Sequence, residues 1–454
     1  MALDFHYLFV FCSFMEMPTT YDLKTRFKDD PKRKWKMFLD FDSFFAHVEK
    51  QEDRALWGKP VAVAPTPSPH SGVIACCYAA KALGVRRGMK RTEATKLAPG
   101  IVFCHARHAL YIDIHHKILK VIEAHVPIEK AWSVDEMSID LKRIEITRAI
   151  DLVTAIKRDL ADVLGPRITA SFGIARTGLL AKIAAEMNKP DGLVVLHPDD
   201  MPGAICDLPL SDIPGVARGM VARLRRAGVT TTDGLLELQP KQARRIWGSV
   251  EGERLWRALH GEETEKPETK RGMFGHSRVL ARTWRAPEKA NECLRILCSH
   301  AAQRLRAEDY FCTRMSVSVK TQDGNRCGLR REFPAVRDDF ALHKIIDESF
   351  AAILKNTSAR HFSQVSVVLM GIVHQDEIIG DLFAGPRDNP RHDKAVRAMD
   401  EINTRYAQML VKVGAPAALP GGYDGIKIAF GRIPDYAPLM EAARKMEVSR
   451  KLST

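Results

Sequence analysis

The chain has 454 residues, 45% of them hydrophobic and 28% charged, with a formal net charge of +13 at pH 7. That length exceeds what one hydrophobic core fills, which predicts several domains, and the basic excess favours polyanionic partners, nucleic acid first and an anionic membrane surface second. No apolar run reaches the ~18–20 residues of a membrane span, and the nine scattered cysteines include no Cys-x-x-Cys pair, so a helical anchor, a zinc site and a disulfide framework are not expected and a reducing cytoplasm fits best.

Residues 1–34 read as an extension to the folded part. The apolar, aromatic stretch 1–17 lacks a basic n-region and a small-residue cleavage site, which argues against a signal peptide. A translation start placed too far upstream and an interaction arm are the two alternatives. Residues 36–40 read as a short buried strand ending in acids. A helix follows over 43–54 with Phe44, Phe45 and Val48 on one face, then a strand over 60–64 and a Pro/Ser run over 65–71. The apolar stretch 73–80 leads into a basic turn, and a helix over 93–97 is stopped by Pro99-Gly100.

A strand at 101–104, a helix over 110–125 and an alternating hairpin strand over 130–141 come next. An amphipathic helix over 148–164, a strand at 168–174, a helix over 179–187 and a strand at 192–196 complete an α/β or α+β domain over 35–197, with an insert near 48–100. Residues 198–265 change to short helices with Pro-Gly turns, and 266–274 read as a linker. The order over 275–374 is strand, helix 287–307, strand, strand, helix 338–355, strand: a split βαβ-type module. The remainder holds a loop, a helix near 393–412 and a Pro/Gly-rich end.

Two sets of acids carry chemistry. Asp40 and Asp42 stand two apart, and in a strand such residues share a face. Carboxylates at a strand end suit Mg²⁺, which takes hard oxygen donors and keeps positions for substrate phosphates. Asp135 and Glu136 are adjacent, so both serve one site only if the chain turns or bulges there. Taken alone, each set also fits an acid-rich surface turn. Together in one domain they suit two metals clamping an in-line phosphoryl displacement.

The motifs Phe38-Leu39-Asp40-Phe41-Asp42-Ser43-Phe44-Phe45-Ala46-His47-Val48-Glu49, Tyr78-Ala79-Ala80-Lys81, Ser133-Val134-Asp135-Glu136, Ser171-Phe172-Gly173-Ile174-Ala175 and Asn188-Lys189-Pro190-Asp191-Gly192 fall in this order. Over roughly 36–375 they resemble the Y-family, or translesion, DNA polymerases, and within them the bacterial DNA polymerase IV-like group. The resemblance implies an α+β multidomain, right-handed polymerase: a ferredoxin-like palm (35–47 and 101–197), small fingers (48–100), a helical thumb with a helix-hairpin-helix (198–265), the linker, an α/β little finger (275–374) and a tail (375–454).

It further implies that Asp40, Asp135 and Glu136 are the catalytic, metal-binding carboxylates, with the Phe41 carbonyl joining one metal and Asp42 in support. Two Mg²⁺ ions per site are the expected cofactors, with Mn²⁺ as the substitute. Phe45, beside Phe44, looks like a steric gate against the 2′-hydroxyl, and Tyr78, Lys81 and Lys189 like triphosphate contacts. The chain departs from the pattern at Lys81, where relatives often carry arginine, since lysine cannot form the bidentate fork.

The stretch 213–228 resembles a helix-hairpin-helix, whose turn at Pro214, Gly215 and Val216 offers N–H groups to a DNA phosphate beside Arg218; Ala217 stands where a second glycine is usual. In the little finger, Arg278, Arg314, Arg330 and Arg331 belong to an alternating basic pattern expected on one sheet face along a duplex backbone. Asp381, Leu382 and Phe383 resemble the anchors of a sliding-clamp peptide, without its leading glutamine and leucine. The expected partners are therefore primer–template DNA, deoxynucleoside triphosphates and the clamp, for a monomeric, non-membrane enzyme of low-fidelity synthesis past damaged bases. The alternatives are a catalytically weak DNA- and clamp-binding accessory protein in damage-induced mutagenesis, against which the three retained acids count, and a nucleotide cyclase, against which the basic C-terminal module counts.

Overall fold

The computed structural model describes residues 34–142, 144–264, 271–378, 390–406 and 410–414. The chain divides into two units, with the division at residues 266 and 267.

In the first unit, β1 (Trp35–Phe41) is the middle strand of a five-stranded sheet ordered β5-β6-β1-β7-β8. Six of its seven residues are buried, which explains why Trp-Lys-Met-Phe-Leu-Asp-Phe reads as a nearly continuous apolar run: both faces of the strand are covered. Its helix α1 (Phe44–Glu52) ends two residues short of the expected span, and a short 3₁₀ turn follows. The insert forms its own three-stranded sheet from β2 (Val61–Ala64), β3 (Ala75–Cys76) and β4 (Val102–His105), with helices α2 (Tyr78–Ala82) and α3 (Arg91–Leu97) alongside. The strand expected at 101–104 to reopen the larger domain instead lies parallel to β2, so the small sheet runs on to His105.

The larger sheet is completed after α4 (His108–Glu123) by β5 (Lys130–Ala131) and β6 (Glu136–Lys142), then α5 (Ile146–Leu164), β7 (Ala170–Ala175), α6 (Gly178–Met187) and β8 (Leu193–Val195). The single hairpin strand expected over 130–141 is thus two strands with a turn between, and that turn carries Asp135. Helix α6 packs on β7, β1 and β8. Gly173 makes the approach close: a Cβ there would lie 2.0 Å from the Ala181 carbonyl oxygen and 2.4 Å from the Ala185 nitrogen. The short helices between residues 203 and 259 share one apolar core with α6, through Leu180, Ile183, Ile213, Val216, Leu224 and Leu259.

The second unit is a four-stranded antiparallel sheet ordered β11-β10-β12-β9. Its elements are β9 (Met273–Val279), α7 (Pro287–Arg306), β10 (Tyr310–Thr321), β11 (Arg326–Val336), α8 (Asp339–Lys355) and β12 (Phe362–His374), the expected order, with β9 starting inside the expected linker. Alternate residues of the strands, such as Met315, Val317, Val319, Val365, Val367 and Leu369, bury against α7 and α8. A last helix, α9 (Pro390–Arg405), starts earlier and ends earlier than expected. It is tied on by two buried arginines: Arg306 grips Asp400 at 2.6 and 2.9 Å and Asp339 at 2.7 Å, and Arg337 grips Asp393 at 3.1 and 3.2 Å. Among the described residues no helix is long and apolar enough to cross a membrane.

Candidate active site

Strand pairing brings the acids together. Asp40, next to last in β1, lies directly opposite Glu136, the first residue of β6. Asp135 sits in the turn just before β6, where its carbonyl accepts from the Phe41 N–H at 2.9 Å and its carboxylate from the Ser133 hydroxyl at 2.5 Å. Strand alternation therefore does not separate Asp135 from Glu136, because only the second is in the strand. Asp40 is 9% exposed. Burial, with the neighbouring charges of Glu186 and Asp135 and against the pull of Lys189, pushes its carboxyl up to about 8. Burial also raises Asp135.

Two ammonium groups face these acids. Lys189 Nζ lies 2.5 Å from Asp40 and 2.7 Å from Glu186, and Lys182 Nζ lies 2.7 Å from Glu136. Burial pulls Lys189 down, but Asp40 and Glu186 more than offset it and hold its ammonium above the ordinary lysine range. Among the described residues no three His, Cys, Asp or Glu side chains converge on one point; Asp40 and Glu136 are turned onto the lysines instead. The donor set still fits a divalent cation: hard carboxylate oxygens on adjoining strands, two of them destabilised as anions by burial and needing positive charge nearby.

Asp42 is not part of this group. Strand periodicity placed it on the face of Asp40, but β1 ends at Phe41 and the chain turns at Ser43, whose φ is +47°. The Asp42 carboxylate, 1% exposed, accepts from the Thr169 hydroxyl at 2.8 Å, the Ser171 hydroxyl at 2.9 Å, the Asp191 N–H at 2.8 Å and the Tyr78 hydroxyl at 3.3 Å. It thus joins β7, the turn after Lys189 and the start of α2.

Of the remaining nucleotide candidates, Tyr78 reaches that joint through its hydroxyl. Lys81 sits with its Nζ 4.3 Å from the centre of the Tyr78 ring. Phe44 and Phe45 are buried, and Phe45 lies flat on Tyr111, 4.2 Å between centres and 13° between planes. Sequence reasoning assigned no role to Lys182, Thr169, Ser171 or Tyr111. Lys182 lies on α6 and Lys189 beyond its end, so no helical spacing links the two in the sequence.

In the hairpin, Gly215 has φ +93°, a conformation glycine adopts freely, and Arg218 opens the helix Arg218–Arg226. Val216 is a correction: its side chain is buried and its N–H goes to the Ile213 carbonyl at 2.9 Å, so it is not open to a phosphate. The expectation of one basic sheet face also needs correcting. Arg314 and Arg330 point to the open face, since each is opposite Glu332 or Ser316 and out of phase with buried Met315. Arg331 pairs with Met315 and Arg278 with buried Val365, so both fall on the side that carries α7 and α8. Asp381, Leu382 and Phe383 lie outside the described residues.

Comparison with known proteins agrees with the geometry. Residues 39–186 match the impB/mucB/samB family and residues 271–382 its C-terminal domain. The chain is 30% identical over 390 residues to a DNA polymerase IV of Moorella thermoacetica, covering 83% of this chain and 94% of that one. It is 31% identical to a DNA polymerase IV of Methanoculleus marisnigri, over 67% of this chain and 85% of the relative. The fold matches that of a solved Y-family DNA polymerase chimera of Dbh and Dpo4, with a TM-score of 0.64 at 23% identity, covering 75% of this chain and 99% of the other.

Proposed function

The chain belongs to the impB/mucB/samB family, as a DNA-directed DNA polymerase of the Y-family, DNA polymerase IV-like kind, and from that premise we propose that it copies past damaged template bases at Asp40, Asp135 and Glu136 by two-metal-ion nucleotidyl transfer. The observation that carries the proposal is the register of Asp40 opposite Glu136, with Asp135 tied to Phe41 beside them. Two divalent cations bound there, Mg²⁺ or Mn²⁺, would supply Lewis-acid activation of a primer 3′-hydroxyl and charge balance for pyrophosphate. The three carboxylates and the Phe41 carbonyl would hold them.

The chain's own groups do the rest. Lys189 and Lys182, paired with carboxylates now, present ammonium groups at the place where an incoming triphosphate would bring new negative charge. Tyr78, bonded to Asp42, and Lys81, over the Tyr78 ring, would orient the same triphosphate. Phe45 would lie under the sugar and reject a 2′-hydroxyl. In this reading the five-stranded sheet is the palm, the small sheet the fingers, the helices of 203–259 the thumb and the second unit the little finger. Primer–template DNA would be gripped through phosphates by Gly215, Arg218, Arg314 and Arg330, with low fidelity and short runs.

Primer extension on undamaged and lesion-bearing templates tests this. Wild-type protein with Mg²⁺ extends both, and Asp135→Ala loses roughly a thousandfold or more. Absence of extension under Mg²⁺ and Mn²⁺, with DNA binding intact, refutes the catalytic reading in favour of a DNA-binding accessory.

A further inference from the structure

Two helices of the first unit each present a pair of side chains one turn apart. On α1 these are Phe45 and Glu49; at the start of α4 they are Arg107 and Tyr111. The four close into a rectangle. Glu49, 5% exposed, accepts from the Tyr111 hydroxyl at 2.7 Å and from Arg107 at 2.6 Å through Nη2 and 3.0 Å through Nε. Phe45 closes the fourth side by stacking on the Tyr111 ring.

The stack is unlike the other ring contacts around it. Phe44 meets Phe45 at 5.8 Å and Tyr111 at 6.4 Å, both tilted, and His108 meets Tyr111 edge-on at 6.2 Å. Only Phe45 and Tyr111 are close and nearly parallel. Tyr111 is itself fully buried, and a buried hydroxyl needs a partner. Here the partner is a carboxylate that an arginine holds in place, so the far end of the Tyr111 ring is anchored by a hydrogen bond while its body is packed in the core. A ring lying flat against it has little freedom to tilt or retreat.

We propose that Tyr111 is the backstop of the sugar gate: a positioning residue that, with Glu49 and Arg107 behind it, holds Phe45 against the 2′ position of the incoming nucleotide and so sets discrimination against ribonucleotides. The proposal rests on the reading of Phe45 as that gate. A gate excludes only if it cannot yield, and the difference between hydrogen and hydroxyl at C2′ is about one heavy atom, small enough for a ring free to shift by an ångström to accommodate. Tyr111 touches neither reacting atom; it acts through Phe45.

The test is single-nucleotide incorporation by the full chain with a deoxynucleotide and its matching ribonucleotide, each enzyme serving as its own control through the ratio of the two efficiencies. Tyr111→Leu removes the flat platform and lowers the ratio by about tenfold or more, while deoxynucleotide efficiency stays within about threefold. Tyr111→Phe, which deletes the hydroxyl, and Glu49→Gln, which leaves one acceptor oxygen for the two donors Tyr111 and Arg107, keep a ring at 111 and lower the ratio by a smaller factor in the same direction. Phe45→Val is run beside them. A collapse of the ratio in Phe45→Val with no change in any Tyr111 or Glu49 variant overturns the backstop and leaves the gate standing. An unchanged ratio in Phe45→Val removes the gate and the backstop with it. Should Tyr111→Leu fail to fold, an unchanged ratio in both Tyr111→Phe and Glu49→Gln overturns the proposal.

Discussion

Asp40 and Glu136 stand opposite each other in the β1–β6 register, and each meets its own lysine, Lys189 at 2.5 Å and Lys182 at 2.7 Å. Both lysines come from one stretch of chain, α6 and the turn after it. The charge balance of the site therefore depends on how closely that helix lies on the sheet.

Gly173 sets that distance. A methyl group there would overlap backbone atoms of α6, at Ala181 and Ala185, rather than the end of a flexible side chain. The helix would have to move off β7, carrying Lys182 with it. Gly173→Ala should cost about 3 kcal/mol or more, read by urea unfolding, and polymerase activity should fall further than the folded fraction does.

Asp42 accepts four hydrogen bonds on a buried carboxylate. An amide of the same shape would set N–H groups against some of those donors, since a carboxylate only accepts. Asp42→Asn should destabilise by about 2–4 kcal/mol and raise KM for the incoming nucleotide about tenfold, because both the Lys189 turn and Tyr78 lose their common anchor. Ser171→Ala, which removes one donor of the four, should cost about 1 kcal/mol. Equal effects of the two changes would show that Asp42 is not the joint.

The sheet of the second unit makes a sided prediction. Arg314 and Arg330 lie on its open face, while Arg278 and Arg331 lie on the face of α7 and α8. If the open face follows DNA, Arg314→Ala and Arg330→Ala each lower the slope of log K against log salt by about 0.9. Arg278→Ala should leave the slope unchanged. Titration of labelled primer–template at several salt concentrations separates the two sets.

Helix α9 lies beyond the matched family domain, which ends at 382, yet it supplies partners to two buried arginines. Asp400→Ala would leave Arg306, 8% exposed, with Asp339 and the Arg337 carbonyl, both met through Nη1. A loss of about 1–3 kcal/mol is expected, measured by urea unfolding; a loss below about 0.5 kcal/mol would mean that the contact is in effect a surface pair.

How much of this was legible varies with the range of the interaction. The βαββαβ order of the second unit followed from local periodicity, because each element buries one face and repeats its apolar residues at the period of a helix or a strand. Asp40, Asp135 and Glu136 were legible as members of family motifs. What periodicity alone could not give was the departure from it: β1 stops one residue before Asp42, and a turn frees Asp135 from alternation. Likewise the four arginines form a regular-looking set in sequence, but the register of β10 with β11 puts Arg331 opposite Met315 and so on the other side.

The amino-acid sequence by itself determined most of the elements and the family motifs in which Asp40, Asp135 and Glu136 stand, since these rest on neighbours along the chain. Tertiary structure alone decided which charges meet. Lys189 reaches Asp40 across 149 positions, Lys182 reaches Glu136 across 46, and Tyr111 reaches Glu49 across 62. No local pattern encodes such pairs, because a buried carboxylate is satisfied by whatever donor the packing of distant segments delivers within hydrogen-bonding distance.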